Sequence, residues 1–320
     1  MKYTQKLLKQ MMNENSGDLS LSRQNNVDIP LKYLSIDRDL YLYDCHVNHL
    51  PKRLVVNRDL YIRYGYINYL PEELTVGGDL NLCNAKIKTL PEKLTVGRSL
   101  YLMDSQVEFL PANLTVGGDL DLRYTKIKTL PENLTVGGDL ELMDSQVRSL
   151  SKNLTVGGNL KLCGTKIKSL PENLTVGGEL DIGADIKSLP ENLTIKGNLD
   201  LSETNIKSLS KNLTVKGNLD LYGTQIKSLP ENLTVGGDLD ISFTQITSLP
   251  ENLTVKGSLY LSNTQIKSLP ENLTVGGDLD ISFTQITSLS ETLTVYGTIN
   301  IDGLEIESLP ENLTVEDDFD

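Results

Sequence analysis

Apolar residues recur along this chain with a period of 20 residues, from about Asp18 to the C-terminus. The repeated pattern is L-P-x-x-L-x-V-x-G-x-L-x-L-x-x-T-x-I-x-x, and the stretch Leu229–Ser248 follows it closely. One unit of this length cannot bury its own apolar side chains, so neighbouring units must stack into a continuous core. The pattern therefore predicts a β-rich repeat solenoid of about 14–15 turns.

The unit Leu110–Thr129 shows what each turn is expected to contain. Alternation of apolar and polar residues from Gly118 to Arg123 predicts a strand, and Gly117 and Gly118 predict a tight corner before it. The residues expected to face inward are Leu110, Leu114, Val116, Leu120, Leu122 and Ile127. The outward positions of this strand are Asp119, Asp121 and Arg123. We expect the hydroxyl of Thr125 to bond the backbone of the adjacent turn, forming a ladder with the equivalent threonines.

The N-terminal residues break the period. They carry Leu7, Leu8, Met11 and Met12 along one face of a predicted helix. Because an open solenoid end exposes an apolar layer, we expect this helix to cap the first turn. The predicted organisation is a capping helix over residues 1–17 and a single solenoid over residues 18–320. The segment Leu180–Ile186 is one residue short and lacks the corner threonine, which predicts a local kink.

The segment L-x-L-x-x-T-x-I, followed by L-P-x-x-L, resembles the leucine-rich repeat, with threonine at the position of that family's asparagine ladder. The 20-residue form that opens with Leu-Pro is similar to the repeats of bacterial type III secreted effectors. Units close to LPENLTVGGDLDL also resemble leucine-rich-repeat-like proteins of bacteria and phages. The resemblance implies a leucine-rich-repeat-like solenoid that binds proteins on its exposed strands. The alternative fold is a right-handed β-helix with short strands at Leu114–Val116, Leu120–Leu122 and Ile127.

The net charge and the cysteine positions limit the partners and the disulfide bonds that can be expected of this chain. A formal net charge of −13 argues against direct binding of nucleic acid or anionic lipid and suits a basic protein partner. Cys83 and Cys163 lie four repeats apart, on the order of 19 Å at about 4.8 Å per strand, which is too far for a disulfide. The N-terminal residues contain no apolar run typical of a signal peptide, and no stretch of the sequence is apolar enough for us to expect a membrane span. We expect a cytoplasmic monomer, or one in the host cytoplasm if it is phage-encoded or secreted without a cleavable signal.

No pattern typical of catalysis is present in the sequence. The only two histidines, His46 and His49, adjoin Cys45, which holds the inward-facing corner position, so a shared metal is not expected. No Ser-His-Asp arrangement surrounds them, and neither GxxxxGK[ST] nor GxGxxG occurs. We predict no catalytic residues, no metal and no cofactor, and a protein that is not an enzyme.

The outward strand positions form the candidate partner-binding face. In the early turns its residues are Tyr41, Tyr43, Tyr61, Arg63, Tyr64, Tyr101, Arg123 and Tyr124. In the later turns they are Asp181, Asp200, Asp220, Tyr222, Asp240, Phe243, Tyr260, Asp280 and Phe283. Aromatic residues and arginine are typical anchors of protein interfaces, although these rings could instead stack across neighbouring strands without any partner.

Two functions fit this face. The first is an intracellular, non-enzymatic protein-binding module. The alternative is an acidic phage-type inhibitor that blocks a host protein by imitating nucleic acid or by opposing a host defence. The net charge and the resemblance to phage repeats favour the alternative, whereas the aromatic residues and Arg63 favour the module.

Overall fold

The computed structural model describes residues 2–183, 185–306, 310 and 314–315, and of residues 314 and 315 it describes the backbone alone. These residues form a parallel β-solenoid of about 14 turns, each about 20 residues long, preceded by one helix. This is the leucine-rich-repeat-like architecture that the sequence predicts. The chain divides into two compact units, Met1–Ile167 and Lys168–Asp320. The predicted division into a cap over residues 1–17 and one solenoid over residues 18–320 remains a prediction.

The N-terminal helix spans Gln5–Glu14, within the segment for which the sequence predicts one. The Thr4 hydroxyl caps its N-terminus by accepting a hydrogen bond from the Leu7 N–H at 3.3 Å. Leu8 and Met12, one helical turn apart, are buried, so the apolar face packs inward as expected.

In the N-terminal unit, one row of short parallel strands carries the candidate face, and we call these the front strands. They are Leu19–Ser20, Leu40–Tyr41, Leu60–Tyr61, Leu80–Asn81, Leu100–Tyr101, Leu120–Asp121, Leu140–Glu141 and Leu160–Lys161. Each begins with a buried leucine, and the leucines pair with one another from turn to turn, for example Leu100 with Leu120. Because this register is fixed, the residue after each leucine lies in a single column on the front of the unit.

A second row of parallel strands, the back strands, runs along the same unit. They are Tyr33–Ile36, Arg53–Val56, Glu73–Val76, Lys93–Val96, Thr115–Val116, Thr135–Val136 and Thr155–Val156. The first turns add a small third sheet made of Val27–Asp28, His46–His49 and Tyr66–Ile67. The strand that the β-helix alternative places at Ile127 is absent from the described residues of that turn, which are not in a strand there.

The C-terminal unit repeats the two rows. Its front strands are Leu180–Asp181, Leu199–Asp200, Leu219–Asp220, Leu239–Asp240, Leu259–Tyr260, Leu279–Asp280 and Thr298–Asn300, and Thr314–Val315 pairs with the last of these. Its back strands are Thr175–Val176, Thr194–Ile195, Thr214–Val215, Thr234–Val235, Thr254–Val255, Thr274–Val275 and Thr294–Val295.

The shortened repeat does not disturb strand pairing in the C-terminal unit. Leu180 pairs with Leu199 and Val176 with Ile195, each pair 19 residues apart, and the register then continues. Ile182 and Ile186 remain buried. The connection between the strands is therefore one residue shorter here, and the predicted kink is not seen in the strand pairing. Ala184 lies outside the described residues.

The inward positions of the model turn are confirmed with one exception. Leu114, Val116, Leu120, Leu122 and Ile127 are buried, whereas Leu110 is only half-buried. The corner before the strand also behaves as predicted, because a Cβ on Gly118 would lie 2.6 Å from the Ser99 hydroxyl of the preceding turn.

The expected threonine ladder is wrong. The Thr125 hydroxyl donates to the Leu122 carbonyl oxygen of its own turn at 2.7 Å, and it closes the corner after the front strand. The same bond within a turn is made by Thr165, Thr204, Thr224, Thr244 and Thr284. The bond is not made in every turn, since the buried hydroxyls of Ser105, Ser145 and Thr264 at this position have no partner among the described residues.

The ladder between turns is made instead by the residue just before each front strand. Its side-chain oxygen accepts the backbone N–H of the equivalent residue one turn later, as when Asp119 accepts from Asp139 at 2.9 Å. Its acceptors in the N-terminal unit are Asp18, Asp39, Asp59, Asp79, Ser99, Asp119 and Asp139. In the C-terminal unit they are Asn198, Asn218, Asp238, Ser258 and Asp278. The predicted outward strand residue Asp119 is therefore a structural residue.

Candidate functional site

The front strands of the N-terminal unit place the early candidate residues in three adjacent columns. Tyr41, Tyr61 and Tyr101 are the second residues of their strands. Tyr43, Arg63 and Arg123 follow two residues later, just past the strands. The front strands of a unit and the turn residues that follow them form what we call its front surface. Tyr64 and Tyr124 come next and lie in the turn rather than on a strand, which the sequence did not predict.

Tyr41, Tyr43 and Tyr61 form a compact aromatic cluster. The rings of Tyr41 and Tyr61 stack with centroids 5.2 Å apart, and the Tyr43 ring lies 5.8 Å from each. The phenol of Tyr41 donates to Asp39 at 3.1 Å, and that of Tyr61 donates to Asp59 at 3.2 Å. Burial and the adjacent carboxylates raise the pKa of both Tyr41 and Tyr61 to about 12, so both phenols stay neutral donors. The rings of this cluster therefore stack across neighbouring strands and remain half-buried.

Arginine side chains neutralise the carboxylates behind this cluster. Arg98 lies 2.7 Å from Asp59, and Arg58 lies 3.7 Å from Asp39. Burial alone would raise the pKa of Asp59, but the Asp79 backbone N–H and the Arg98 guanidinium outweigh it and lower that pKa. Asp59 is therefore ionised and fully engaged inside the protein.

Arg123 is held by a carboxylate of its own strand. Its Nε and one terminal nitrogen donate to the two oxygens of Asp121 at 3.0 and 2.8 Å. This hydrogen bonding raises the pKa of Arg123. Asp121 is only 4% exposed, so the carboxylate at this predicted outward position is buried and paired with a half-buried arginine.

The later candidates lie on the front of the C-terminal unit. Asp181, Asp200, Asp220 and Asp240 are second residues of consecutive front strands and pair in register. Asp200, Asp220 and Asp240 line an open depression together with Glu179, Asn198, Asn218, Asp238 and Tyr260. Burial, followed by the charges of Asp240 and Asp200, raises the pKa of Asp220. The column continues to Tyr260 and Asp280.

Four of the candidate aromatic residues adopt left-handed backbone conformations. Tyr64, Tyr124, Phe243 and Phe283 have φ between 53° and 58°, and their side chains are between 50% and 59% exposed. Other turns fill the same position with Asp44, Asn84, Asp104, Asp144, Glu203, Asn263, Gly164, Gly223 and Gly303. Glycine and asparagine tolerate this conformation, whereas a bulky aromatic residue is strained in it. The mixture of Gly, Asn and Asp in this column is the sequence signal that indicates the turn.

The structure thus brings the candidates together in groups within each unit. Tyr41, Tyr43, Tyr61 and Arg63 are neighbours, and the Arg63 guanidinium lies 5.7 Å from the Tyr64 ring centroid. Tyr101 is next to Asp121 in register. In the C-terminal unit, Tyr222 and Phe243 lie with ring centroids 5.2 Å apart. Whether these residues contact a partner remains a prediction.

The two units differ sharply in charge, which the whole-chain value conceals. Residues 1–167 carry 21 Lys and Arg against 19 Asp and Glu, a formal net charge of +2. Residues 168–320 carry 9 against 24, a formal net charge of −15. The acidic character therefore belongs to the C-terminal unit alone.

Cys45 faces inward and the two histidines beside it face outward, as the sequence predicts. Cys45 is buried and donates to the Leu42 carbonyl oxygen at 3.2 Å, while His46 and His49 are exposed. His49 Nδ1 lies 3.0 Å from Asp28 Oδ1. Within the described ranges, no three His, Cys, Asp or Glu side chains are arranged to hold a metal ion. No helix in the part of the chain that the structure describes is long and apolar enough to cross a membrane.

The sequence matches no protein-family model and no curated protein. Among solved structures, the chain is similar to YopM from Yersinia enterocolitica WA-314, with 21% identity over 96% of this chain and 83% of that one and a TM-score of 0.44. It is also similar to a leucine-rich-repeat protein of Leptospira interrogans, with 19% identity over 84% of each chain and a TM-score of 0.36. YopM from Yersinia pestis, described as a leucine-rich effector, has 17% identity over 96% and 84% and a TM-score of 0.34. At these values the function of those proteins has no bearing on this chain.

Proposed function

We propose that this chain is a non-enzymatic protein-binding module that engages its partner through the front surface. The observation that carries the proposal is the set of exposed aromatic side chains at left-handed turn positions, Tyr64, Tyr124, Phe243 and Phe283. Such strain costs on the order of 1–3 kcal/mol per residue. A chain that uses glycine or asparagine at this position in other turns has no need of the strain for folding. Contact with another molecule is a reason to retain it.

The surroundings of these rings suit a protein partner. Rigid aromatic side chains with flanking arginines are the usual anchors of protein interfaces. The strands beneath them are held in register by the side-chain ladder and by the buried leucines, so the rings project from a pre-ordered surface. We place this activity in the cytoplasm, either of the producing cell or of a host.

Site-specific crosslinking tests this proposal. A photoreactive phenylalanine analogue would replace Tyr124 or Phe243 in the full chain, and cells would be irradiated. The proposal expects a covalent adduct with a second protein at one or both positions. The matched control is Tyr296, which is 77% exposed but lies at the corner after a back strand. Equal crosslinking at Tyr296, or none at the front positions, would contradict the proposal.

A second candidate function is an acidic inhibitor that imitates nucleic acid. It is favoured by one observation, the in-register column of Asp181, Asp200, Asp220 and Asp240 on a unit of net charge −15. Stacked carboxylates repel one another, and a basic partner would relieve that repulsion. Such binding should weaken steeply with salt, be competed by DNA and be lost when Asp220 and Asp240 become Asn. Binding that is insensitive to salt would exclude this candidate.

A further inference from the structure

Arg63 and Arg123 occupy the same position in their turns, two residues beyond the outward residue of a front strand. At Arg123 that outward residue is Asp121, whose two oxygens accept from the guanidinium at 3.0 and 2.8 Å. At Arg63 it is Tyr61, which supplies no carboxylate. The chain therefore contains the same arginine site with its anion present in one turn and missing in the other.

The described surroundings of Arg63 offer no substitute for that carboxylate. No described Asp or Glu lies within 4.0 Å of its guanidinium. Its Nε is buried and has no hydrogen-bond partner among the described residues. Since a second molecule cannot reach this buried atom, the donors of Arg63 that remain for a partner are its two terminal nitrogens, which are not among the buried atoms without a hydrogen-bond partner.

The nearest carboxylates of the cluster are already engaged. Asp39 accepts from the Tyr41 phenol and lies 3.7 Å from Arg58. Asp59 accepts from the Tyr61 phenol and from Arg98, at 3.2 and 2.7 Å. Asp39 and Asp59 therefore each have one arginine and one tyrosine phenol as partners. Arg63 has no carboxylate partner among the described residues of this unit, whose formal net charge is +2.

We propose that the terminal guanidinium nitrogens of Arg63 bind an Asp or Glu side chain of the protein partner, which supplies from outside the carboxylate that Asp121 supplies to Arg123 within the chain. This inference rests on the proposed function and specifies the chemistry that the N-terminal front surface recognises. The fork of a guanidinium matches a carboxylate with two parallel hydrogen bonds. Tyr41, Tyr43, Tyr61 and Tyr64 surround the site and would pack against the apolar residues that flank the acid. The partner segment is therefore an acidic peptide with neighbouring apolar residues.

The same geometry disfavours a polyanion. A nucleic-acid strand would bring several phosphates across the cluster, where Arg58 and Arg98 are already paired with Asp39 and Asp59, so of these three arginines only Arg63 is left to meet them. A peptide can place one carboxylate at Arg63 and neutral residues elsewhere. The arrangement of charges thus selects an isolated acid rather than a row of them.

The test selects peptides with the full chain. A bead-displayed library of random, C-terminally amidated dodecapeptides restricts free carboxylates to Asp and Glu side chains. We expect the wild type to enrich peptides that contain Asp or Glu beside apolar residues. A selected peptide, synthesised alone, should bind the Arg63→Gln variant at least tenfold more weakly. Arg148→Gln removes one positive charge from the same unit away from the front surface, and it should bind that peptide as the wild type does.

A second variant supplies the missing carboxylate within the chain. Tyr61→Asp recreates at Arg63 the spacing of Asp121 and Arg123, so it should block the acidic peptide while the protein remains folded by circular dichroism. Because Tyr61 also belongs to the aromatic cluster, Arg63→Gln is the decisive variant and Tyr61→Asp the confirming one.

Three results would overturn the proposal. The first is enrichment of neutral or basic peptides only, or of none. The second is an acidic peptide that binds Arg63→Gln as well as the wild type. The third is binding of a fluorescent 20-nucleotide oligothymidylate that depends on Arg63, since it would assign the site to nucleic acid. Neutral peptides that are lost in a Tyr64→Asn variant would reject the carboxylate site but leave the proposed protein-binding function standing.

Discussion

Asp139 accepts the backbone N–H of Asn159, one turn further along the chain, through its Oδ1 atom at 2.7 Å. This bond recurs at the equivalent residues of most described turns, so a side chain joins the turns at the corner before each front strand, in addition to backbone bonds such as that from Gly158 N–H to the Gly138 carbonyl oxygen at 2.9 Å. It fixes the start of the front strands and hence the position of every outward residue on them.

Replacing Asp139 by Ala should destabilise the protein by about 1–3 kcal/mol, because the half-buried N–H of Asn159 loses its acceptor. Asp139→Asn should cost much less, since an amide oxygen makes the same bond at Asn198 and Asn218. Urea unfolding of the two variants checks the difference. Equal losses would mean that the carboxylate charge, and not the hydrogen bond, is what matters.

Arg123→Gln should destabilise the chain by about 1.5–3 kcal/mol, because it leaves the buried carboxylate of Asp121 without its two charge-assisted hydrogen bonds. Arg63→Gln should leave the free energy of unfolding nearly unchanged, since Arg63 has no carboxylate among the described residues. Thermal unfolding of both variants under the same conditions provides the comparison. A large loss at Arg63 would reveal an internal partner and remove the basis for assigning it an external one.

The stacked aspartates make a prediction about pH. The pKa of Asp220 is raised by burial and by Asp240 and Asp200, so its ionised form destabilises the folded state at neutral pH. Asp220→Asn should therefore stabilise the protein at pH 7, by on the order of 0.5–1 kcal/mol at low salt. An amide oxygen can still accept from the Tyr222 N–H, as Asp220 does at 2.9 Å.

The stabilisation from Asp220→Asn should disappear as the pH falls through the raised folded-state pKa towards the ordinary value for aspartate. Below that value Asp220 is protonated in both the folded and the unfolded state, so its burial no longer matters. Unfolding curves of both proteins at several pH values test this. A benefit that persists at low pH would assign the effect to packing instead of charge.

Periodicity allowed much of the fold to be predicted. Leu120, Leu122 and Ile127 recur every 20 residues, and a residue that is apolar in every turn must lie in the core. The same reasoning placed Tyr41, Tyr61 and Asp220 in one outward column of their units.

Periodicity could not say which neighbour a recurring polar residue bonds. Thr125 and Asp119 repeat equally well, and only the backbone geometry shows that the threonine closes its own turn while the aspartate joins two turns. The left-handed turn was missed because Tyr64 and Tyr124 are poor indicators of it. The ion pair between Arg123 and Asp121 depends on side-chain conformation, which a repeat pattern does not encode. The same holds for the lack of a carboxylate beside Arg63 among the described residues.

The measurement that tests the central claim most directly compares stability and binding in one protein. A variant with Tyr64, Tyr124, Phe243 and Phe283 all changed to Asn relieves the backbone strain at positions where the chain itself uses Asn84 and Asn263. The claim that these rings serve a partner predicts that the variant is more stable, by about 1 kcal/mol for each relieved residue. It also predicts that the variant loses the proteins that the wild type captures from the same lysate. A variant that is less stable than the wild type, or that captures the same proteins, would contradict the claim.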